Sequence, residues 1–397
     1  SGFLADKFGT KKVFIISLIL FSLGSLLCSL SPNLTFLVIA RVIQGIGGSL
    51  MTPVGKLALI KTFDKSELLK AMNFAIIPAL IGPVLGPLIG GYMVDYLSWH
   101  WIFLINLPIG ILGIVLSVKY MPNYFSKIID FDFKGFLFFA AASLLLSISL
   151  EWMGNAKNIT PVLLVFLMGF IFIYLYYRHA KKEENPIFPL ELFMVRTFRV
   201  GFLGNLATRL GISSIPLLIP LMIQIAYGQS AVVSGWIVAP MAITAMFGKS
   251  AVIKILNRFG YRKTLMFNTF LIGTLICLMA IPGINTSIYW FIPLILVLGF
   301  FNSIQFTSMN TISISDLRDS HTSSGNSLIS VNQQIAIGFG IAFGLIILKL
   351  FEGDTQLIKG NIHNAFRYTF LVMGILTILS GFVFRRLHFR DGDNMKS

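Results

Sequence analysis

Long hydrophobic stretches alternate with short charged segments along the whole chain. About twelve stretches are long enough to cross a hydrocarbon core of about 30 Å, and they lack the period-two alternation of barrel strands. Because backbone groups in lipid must find hydrogen bonds within their own segment, we expect each stretch to be a helix. The predicted spans cover residues 13–30, 35–60, 71–94, 101–118, 135–150, 161–177, 200–226, 231–252, 264–282, 289–311, 329–350 and 366–384.

Composition agrees with an all-α polytopic membrane protein. Of the 397 residues, 56% are hydrophobic and 12% are charged, whereas soluble domains average about 45–50% and about 25%. Too few polar side chains are present to cover a water-facing surface. Cys28 and Cys277 both lie in apolar stretches, where a small soft side chain packs well, so neither predicts a disulfide or a metal site.

The net charge is +15, and the distribution of the basic residues along the chain indicates the membrane topology. Most basic residues fall in alternate loops, beginning with Lys7, Lys11 and Lys12, and this is the positive-inside pattern. It predicts a multi-pass protein of the bacterial inner membrane with both ends of the chain in the cytoplasm. Nucleic acid is not expected as a partner, because the cations do not gather on one solvated face.

One basic loop occurs twice. The segment from Asp6 to Phe14 recurs from Asn257 to Leu265, and two copies of one loop imply two copies of one helical bundle. The second copy has two spans before it in its bundle and the first has none, and the chain begins with Ser1. We therefore expect a fragment of a fourteen-helix protein. The expected domains are residues 1–118, an N-terminal bundle lacking two helices; 119–199, a linker with two extra spans; and 200–397, a six-helix bundle.

Three motifs resemble signatures of the major facilitator superfamily. The loop from Gly2 to Lys12 resembles its gating loop, and the segment from Leu37 to Gly48 resembles a second signature. The segment from Gly82 to Gly91 resembles its antiporter signature, and the segment from Trp99 to Pro108 is similar to the fourteen-helix drug:proton antiporters. The resemblance implies a two-bundle fold, and it implies export rather than import.

The motifs and their repeat assign three groups of candidate residues. The gating loops comprise Gly2, Asp6, Gly9, Lys11, Lys12, Asn257, Arg258, Gly260 and Arg262, where glycines allow tight turns and Asp6 can exchange partners between conformations. The resemblance implies proton coupling for Arg41, Gln44 and Gly45. A hinge is expected at Pro78, Gly82, Pro83, Gly86, Pro87, Gly90 and Gly91, where glycines four apart allow close helix approach and prolines add kinks.

Polar side chains within spans form a fourth group, the expected substrate cavity. Arg209 follows Asn205 by four residues, so both share a helix face near mid-membrane. The group comprises Asn106, Asn205, Arg209, Asn302, Gln305, Asn310, Asn332 and Gln333. Such amides bond across helices as readily as they bind a ligand, so both interpretations stay open.

The acidic residues are absent from the middle of every predicted span. All 16 lie in loops or near span ends, whereas proton coupling normally uses a buried acid. The resemblance places that acid in the first helix of the family, which we expect to lie outside this chain.

The expected function is proton-coupled efflux of small amphipathic drugs or organic compounds by alternating access. Export of an anionic metabolite or siderophore is the alternative within transport, and a transport-dead sensor or an inactive fragment is the alternative outside it. We expect no enzyme, because the five histidines are scattered. No cofactor is expected beyond the proton gradient, and the expected partners are a small-molecule substrate, protons and the lipid bilayer. A periplasmic adaptor or an outer-membrane channel stays an open alternative.

Overall fold

The computed structural model describes residues 2–63, 82, 85–86, 88–125, 131–153, 160–353 and 361–393. Within these ranges the regular elements are helices, and ten segments are long and apolar enough to cross a membrane. One of them, Ala231–Leu278, contains two predicted spans, so eleven of the twelve predictions coincide with described helices. The remaining span, 71–94, lies partly outside the described residues. These helices confirm the predicted all-α membrane fold.

The chain divides into two compact units, Ser1–Phe131 and Asp132–Ser397. The second unit includes the two helices predicted to form a linker. The three predicted domains and their boundaries stay a prediction.

Four helices of the first unit have defined ends, and residues 88–96 form a further helical stretch. The four are α1 (Gly2–Phe8), α2 (Thr10–Ser29), α3 (Leu34–Thr62) and α4 (Trp101–Tyr120). The helix α3 begins after Asn33, whose side chain accepts a hydrogen bond from the Phe36 N–H at 2.9 Å. A Cβ at Gly24 would overlap the backbone of Gln44, and a Cβ at Gly47 would overlap the backbone of Phe21. Glycine therefore lets α2 and α3 touch along their backbones.

The second unit begins with a helix pair and continues with six further helices among its described residues. The pair is α5 (Phe133–Met153) and α6 (Thr160–Ala180), and the six are α7 (Arg196–Ile212), α8 (231–259), α9 (261–278), α10 (Phe291–Ile314), α11 (Asp319–Gly353) and α12 (Ile362–Ser380). A short 3₁₀ turn, Gly381–Arg386, extends α12.

The predicted span 200–226 is not one continuous α-helix. The helix α7 ends at Ile212, the helix resumes at Ile215–Leu221, and a π-helical turn follows at Met222–Ala226. Pro216 and Pro220 explain the interruption, because neither has an N–H to donate to the preceding turn.

The core of the second unit gathers where α9 and α12 meet the segment after α7. Ile219, Ile276, Phe366 and Phe370 are each at most 2% exposed. A Cβ at Gly273 would come 2.7 Å from the carbonyl oxygen of Gly374, so these two helices cross in direct backbone contact. This close packing fixes the positions of the polar side chains on α9 and α12.

Candidate functional site

The first gating loop turns at a glycine. Gly9 has φ 93°, a left-handed conformation that L side chains rarely adopt, and it separates α1 from α2. A Cβ there would also overlap the amide of Asn123. Lys11 then donates from its Nζ to the carbonyl oxygen of Val118 at 2.7 Å, so it caps the end of α4.

An ion pair holds the same loop to α3. The Nζ of Lys61 lies 3.0 Å from Oδ1 of Asp6, and the Asp6 side chain is one-third exposed. Gly2 begins α1, and Lys12 is exposed on the first turn of α2. Because this pair is partly exposed, it is weak enough to be broken and remade.

The second gating loop repeats this turn. Gly260 has φ 72° and separates α8 from α9, at the position that aligns with Gly9. Asn257 and Arg258 are exposed just before it, with the Arg258 guanidinium 5.4 Å from the Phe259 ring centroid, and Arg262 is half-buried after it. The repeat seen in the sequence is therefore also a repeat of backbone conformation.

Arg41 belongs to a polar network that joins three helices of the first unit. Its Nη1 donates to Oε1 of Gln44 at 2.7 Å, and Nε2 of Gln44 donates to Oγ of Ser25 at 2.6 Å. Nδ2 of Asn106 also points to Oγ of Ser25, at 3.4 Å. The Arg41 guanidinium lies 5.7 Å from the Phe103 ring centroid. The structure thus brings together Arg41 and Gln44, predicted for coupling, and Asn106, predicted for the cavity.

Ser25 is the residue of this network that sequence reasoning missed. It is fully buried on α2, and Gln44 is 4% exposed on α3. The backbone contact at Gly24 brings the two side chains within hydrogen-bond reach. A Cβ at Gly45 would meet no described atom within 4 Å.

The predicted hinge is only partly described. Pro78, Pro83 and Pro87 lie outside the described residues, whereas Gly82, Gly86, Gly90 and Gly91 have helical backbones. A Cβ at Gly82, Gly86 or Gly90 would meet no described atom within 4 Å. The hinge therefore stays a prediction.

Arg209 and Asn205 form the corresponding feature of the second unit. Nε of Arg209 donates to Oδ1 of Asn205 at 2.7 Å, and the Arg209 guanidinium lies 5.0 Å from the Phe306 ring centroid on α10. Asn205 is fully buried, and its Nδ2 has no hydrogen-bond partner among the described residues. A Cβ at Gly340 would overlap the Arg209 carbonyl oxygen, so α11 lies against α7 here.

Three further cavity candidates bond between helices. Nε2 of Gln333 donates to Oδ1 of Asn310, which joins α11 to α10. Nδ2 of Asn332 donates to the carbonyl oxygen of Phe202 at 2.9 Å, which joins α11 to α7. These bonds support the helices that surround Arg209.

Gln305 faces α9, and Asn302 is half-buried on the same helix, α10. Oε1 of Gln305 accepts from Asn268 at 2.9 Å, and its Nε2 donates to Thr269 at 2.8 Å. All three side chains of this cluster are at most 3% exposed. Asn268 and Thr269 were not singled out from the sequence, because they form one short polar pair in a largely apolar run. The hydrogen bonds of Gln305 hold α9 to α10.

One cluster of metal-ligating side chains is present among the described residues. Ligand atoms of Asp132, His179 and Glu183 lie within 4.8 Å of one another. Oδ1 of Asp132 accepts from the Gly135 N–H at 2.8 Å and lies 2.6 Å from Nε2 of His179. Since Asp132 thereby caps the first turn of α5, these contacts support a structural role.

Comparison with known proteins defines the family. A model described as Major Facilitator Superfamily matches residues 1–341 and 201–396. The chain belongs to the Major Facilitator Superfamily. It is a multi-pass membrane transporter, and the resemblance drawn from the motifs is confirmed.

Two curated relatives each have 40% sequence identity to the transporter. It is 40% identical over 393 residues to "Probable transport protein HsrA" of Haemophilus influenzae, which covers 99% of this chain and 85% of that protein. It is also 40% identical over 392 residues to "Putative multidrug resistance protein MdtD" of Pectobacterium atrosepticum, with 98% and 84% covered.

Solved structures share the fold of the transporter at low sequence identity. A peptide transporter POT in complex with sulfate superimposes with a TM-score of 0.67 at 14% identity, covering all of this chain and 83% of that one. The nucleoside transporter NupG superimposes with a TM-score of 0.60 at 11% identity, covering 97% and 85%. At these identities the likeness concerns the fold alone.

Proposed function

We propose that the transporter exports small amphipathic organic compounds in exchange for protons, by alternating access. The observation that carries this proposal is the 40% identity, over 98% of the chain, to a relative named as a multidrug resistance protein. The sequence pattern adds the bacterial inner membrane, with both ends in the cytoplasm, as the expected location. No enzymatic step and no cofactor is part of the proposal.

The second unit supplies the proposed substrate contact. Asn205 presents a buried Nδ2 without a described partner, and Arg209 beside it has no carboxylate partner among the described residues. A buried donor left unsatisfied costs about 1–3 kcal/mol, so a ligand that accepts from it recovers that free energy. The Phe306 ring adds an apolar wall of the kind that adaptable binding sites use.

The first unit supplies the proposed coupling element. A guanidinium held in place favours the ionised form of an acid that comes near it, and its withdrawal favours protonation of that acid. The bond from Arg41 to Gln44 fixes the guanidinium at one position on α3. The release of a proton from an acid can therefore be linked to the approach of that acid to Arg41.

The gating loops support a change of conformation in both units. Each loop turns at a left-handed glycine, and the first is held by the partly exposed ion pair between Asp6 and Lys61. Hinge points and exchangeable ion pairs are typical of elements that switch between two states.

The test is accumulation of a fluorescent amphipathic dye in cells that lack other exporters. Cells expressing the full-length protein are expected to accumulate less dye, and a protonophore is expected to abolish the difference. A matched variant, Arg41→Lys, keeps the charge but loses the planar guanidinium and is expected to export more slowly. Export that persists unchanged with the protonophore would contradict proton coupling.

Export of an anionic metabolite is a second candidate. Neither Arg41 nor Arg209 has a carboxylate partner among the described residues, so both leave positive charge available to an anion. Transport assays with matched cationic and anionic dyes separate the two candidates. Preference for the anionic dye that is lost in Arg209→Gln would favour the second.

A further inference from the structure

A cavity of about 420 Å³ lies in the second unit, where α7 begins and the 3₁₀ turn after α12 ends. Its lining includes neither residue of the Arg209 pair and no residue of the second gating loop. Its lining residues are three arginines and three aliphatic residues: Arg196, Arg199, Val200, Leu203, Val383 and Arg386.

The three arginines differ in how their charge is balanced. Arg196 makes a two-pronged ion pair with Asp391, with Nη2 at 2.5 Å from Oδ1 and Nε at 3.2 Å from Oδ2. Arg199 and Arg386 are exposed and have no carboxylate partner among the described residues. The cavity therefore keeps two uncompensated guanidinium groups, which is the arrangement that binds phosphate well.

The aliphatic part of the cavity extends along the membrane-spanning segments. Leu203 lies one helical turn beyond Arg199 and is 38% exposed. Val383 lies one 3₁₀ turn before Arg386, so it shares that face of the turn. Both segments belong to helices of the structure that are long and apolar enough to cross a membrane: Arg196–Ala226 begins three residues before Arg199, and Ile362–Arg386 ends at Arg386.

Polar and apolar groups are thus ordered as they are in a phospholipid. The guanidinium groups lie at the boundary of the spans, and the aliphatic side chains lie one turn further into them. A soluble phosphate would bind the guanidinium groups but has no apolar part to contact Leu203 and Val383, whereas a phospholipid contacts both parts of the lining. Basic pockets at helix ends beside the bilayer are typical sites for anionic headgroups.

We propose that this cavity binds an anionic phospholipid, with its phosphate between Arg199 and Arg386 and an acyl chain along Leu203 and Val383. The bound lipid bridges the start of α7 and the end of the turn after α12. It thereby neutralises two like charges that the fold places close together.

The test measures lipid retention by the full-length protein in nanodiscs that contain mixtures of phosphatidylglycerol and phosphatidylcholine. The unsubstituted protein is expected to enrich phosphatidylglycerol, and Arg199→Gln with Arg386→Gln is expected to lower that preference about tenfold. The matched control is Arg178→Gln with Arg385→Gln, which removes the same charge at exposed positions outside the cavity. Arg385 neighbours Arg386 but stacks on Phe382, 5.5 Å from its ring centroid, and does not line the cavity. The control is expected to keep the preference.

Two further measurements keep the proposal falsifiable if the double variant misfolds. Photoreactive phosphatidylglycerol added to the unsubstituted protein is expected to label peptides that contain residues 196–203 or 383–386, and photoreactive phosphatidylcholine is not. Glycerol 3-phosphate at millimolar concentration is expected to leave this labelling unchanged. Equal labelling by both lipids, equal loss in both double variants, or displacement by glycerol 3-phosphate would overturn the proposal.

Discussion

Each unit holds an arginine inside a span, yet the two arginines have different surroundings. Arg41 and Arg209 each bond an amide within one helical turn and each lie near an aromatic ring. In the first unit, Nε2 of Gln44 donates a hydrogen bond to Ser25, and this bond joins α2 and α3. In the second unit Nδ2 of Asn205 has no described partner.

Because of this difference, we assign different roles to the two arginine sites. A closed network fixes the position of its charge, and fully satisfied polar networks rigidify the helices that hold them. An open, buried donor has unused bonding capacity that a ligand can satisfy. We therefore expect substitutions around Arg41 to change stability and coupling, and those around Arg209 to change substrate handling.

Replacing Arg209 gives the largest expected effect on transport. Arg209→Ala removes a charged donor and the contact with Phe306, so we expect export to fall about tenfold or more, since a hydrogen bond to a charged group is worth about 1.5–3 kcal/mol. Initial rates of dye efflux measure it. Lys249→Ala, on α8, is the control for lost charge and is expected to keep most of the activity. An Arg209→Ala protein that exports at the full rate would remove Arg209 from the proposed site.

Breaking the closed network gives the largest expected effect on stability. Gln44→Leu removes the closer of the two amide donors to the buried Ser25 and leaves Arg41 without its acceptor, so we expect a loss of about 1–3 kcal/mol. Thermal unfolding in detergent micelles measures this loss. The control Gln334→Leu changes an exposed glutamine on α11 and is expected to leave the unfolding midpoint unchanged. An unchanged midpoint in Gln44→Leu would mean that the network does not stabilise the first unit.

The sequence predicted much of both sites, but only the parts that lie on one helix. Arg209 and Asn205 were paired by their spacing of four, and Arg41 and Gln44 by the motif that contains both. Ser25, Phe103 and Phe306 come from other helices, and a serine or phenylalanine in an apolar run gives no sign of its partner. The side-chain direction of Gln305 was also not predictable, because the polar residues of α10 are spread around the helix and do not mark one face. Contacts between helices thus depend on how the helices pack, as in the backbone contact at Gly24. The sequence of a single span does not show this packing.

Removing the open donor is expected to separate stability from transport. Asn205→Leu removes the acceptor of Arg209 but also removes a buried Nδ2 that is already unsatisfied, and the two effects oppose each other, so we expect the free energy of unfolding to change by less than about 1 kcal/mol in either direction. Transport is expected to fall, because Arg209 loses its acceptor and the substrate loses a donor. Thermal unfolding and dye efflux on the same preparation measure both effects. A strongly destabilised Asn205→Leu protein would show that Asn205, like Gln44, is structural.

The smallest effect on transport is expected at Tyr227, which lies just beyond the span Arg196–Ala226 and bonds to no residue of either arginine network. Burial raises the pKa of Tyr227, with Arg367 opposing the shift, and its hydroxyl donates to the Gly283 carbonyl oxygen at 3.1 Å. The raised pKa means that its contribution to stability is present below the pKa of an unfolded tyrosine, about 10, and is lost as the pH rises through the folded value. Tyr227→Phe is therefore expected to cost about 1 kcal/mol at pH 8 and less at pH 11. Thermal unfolding of both proteins at the two pH values measures the difference, and Tyr289→Phe, an exposed tyrosine, is the control. Because neither arginine network involves this residue, efflux at pH 7 should be unchanged, and a loss of efflux would show that the two arginines do not account for transport alone.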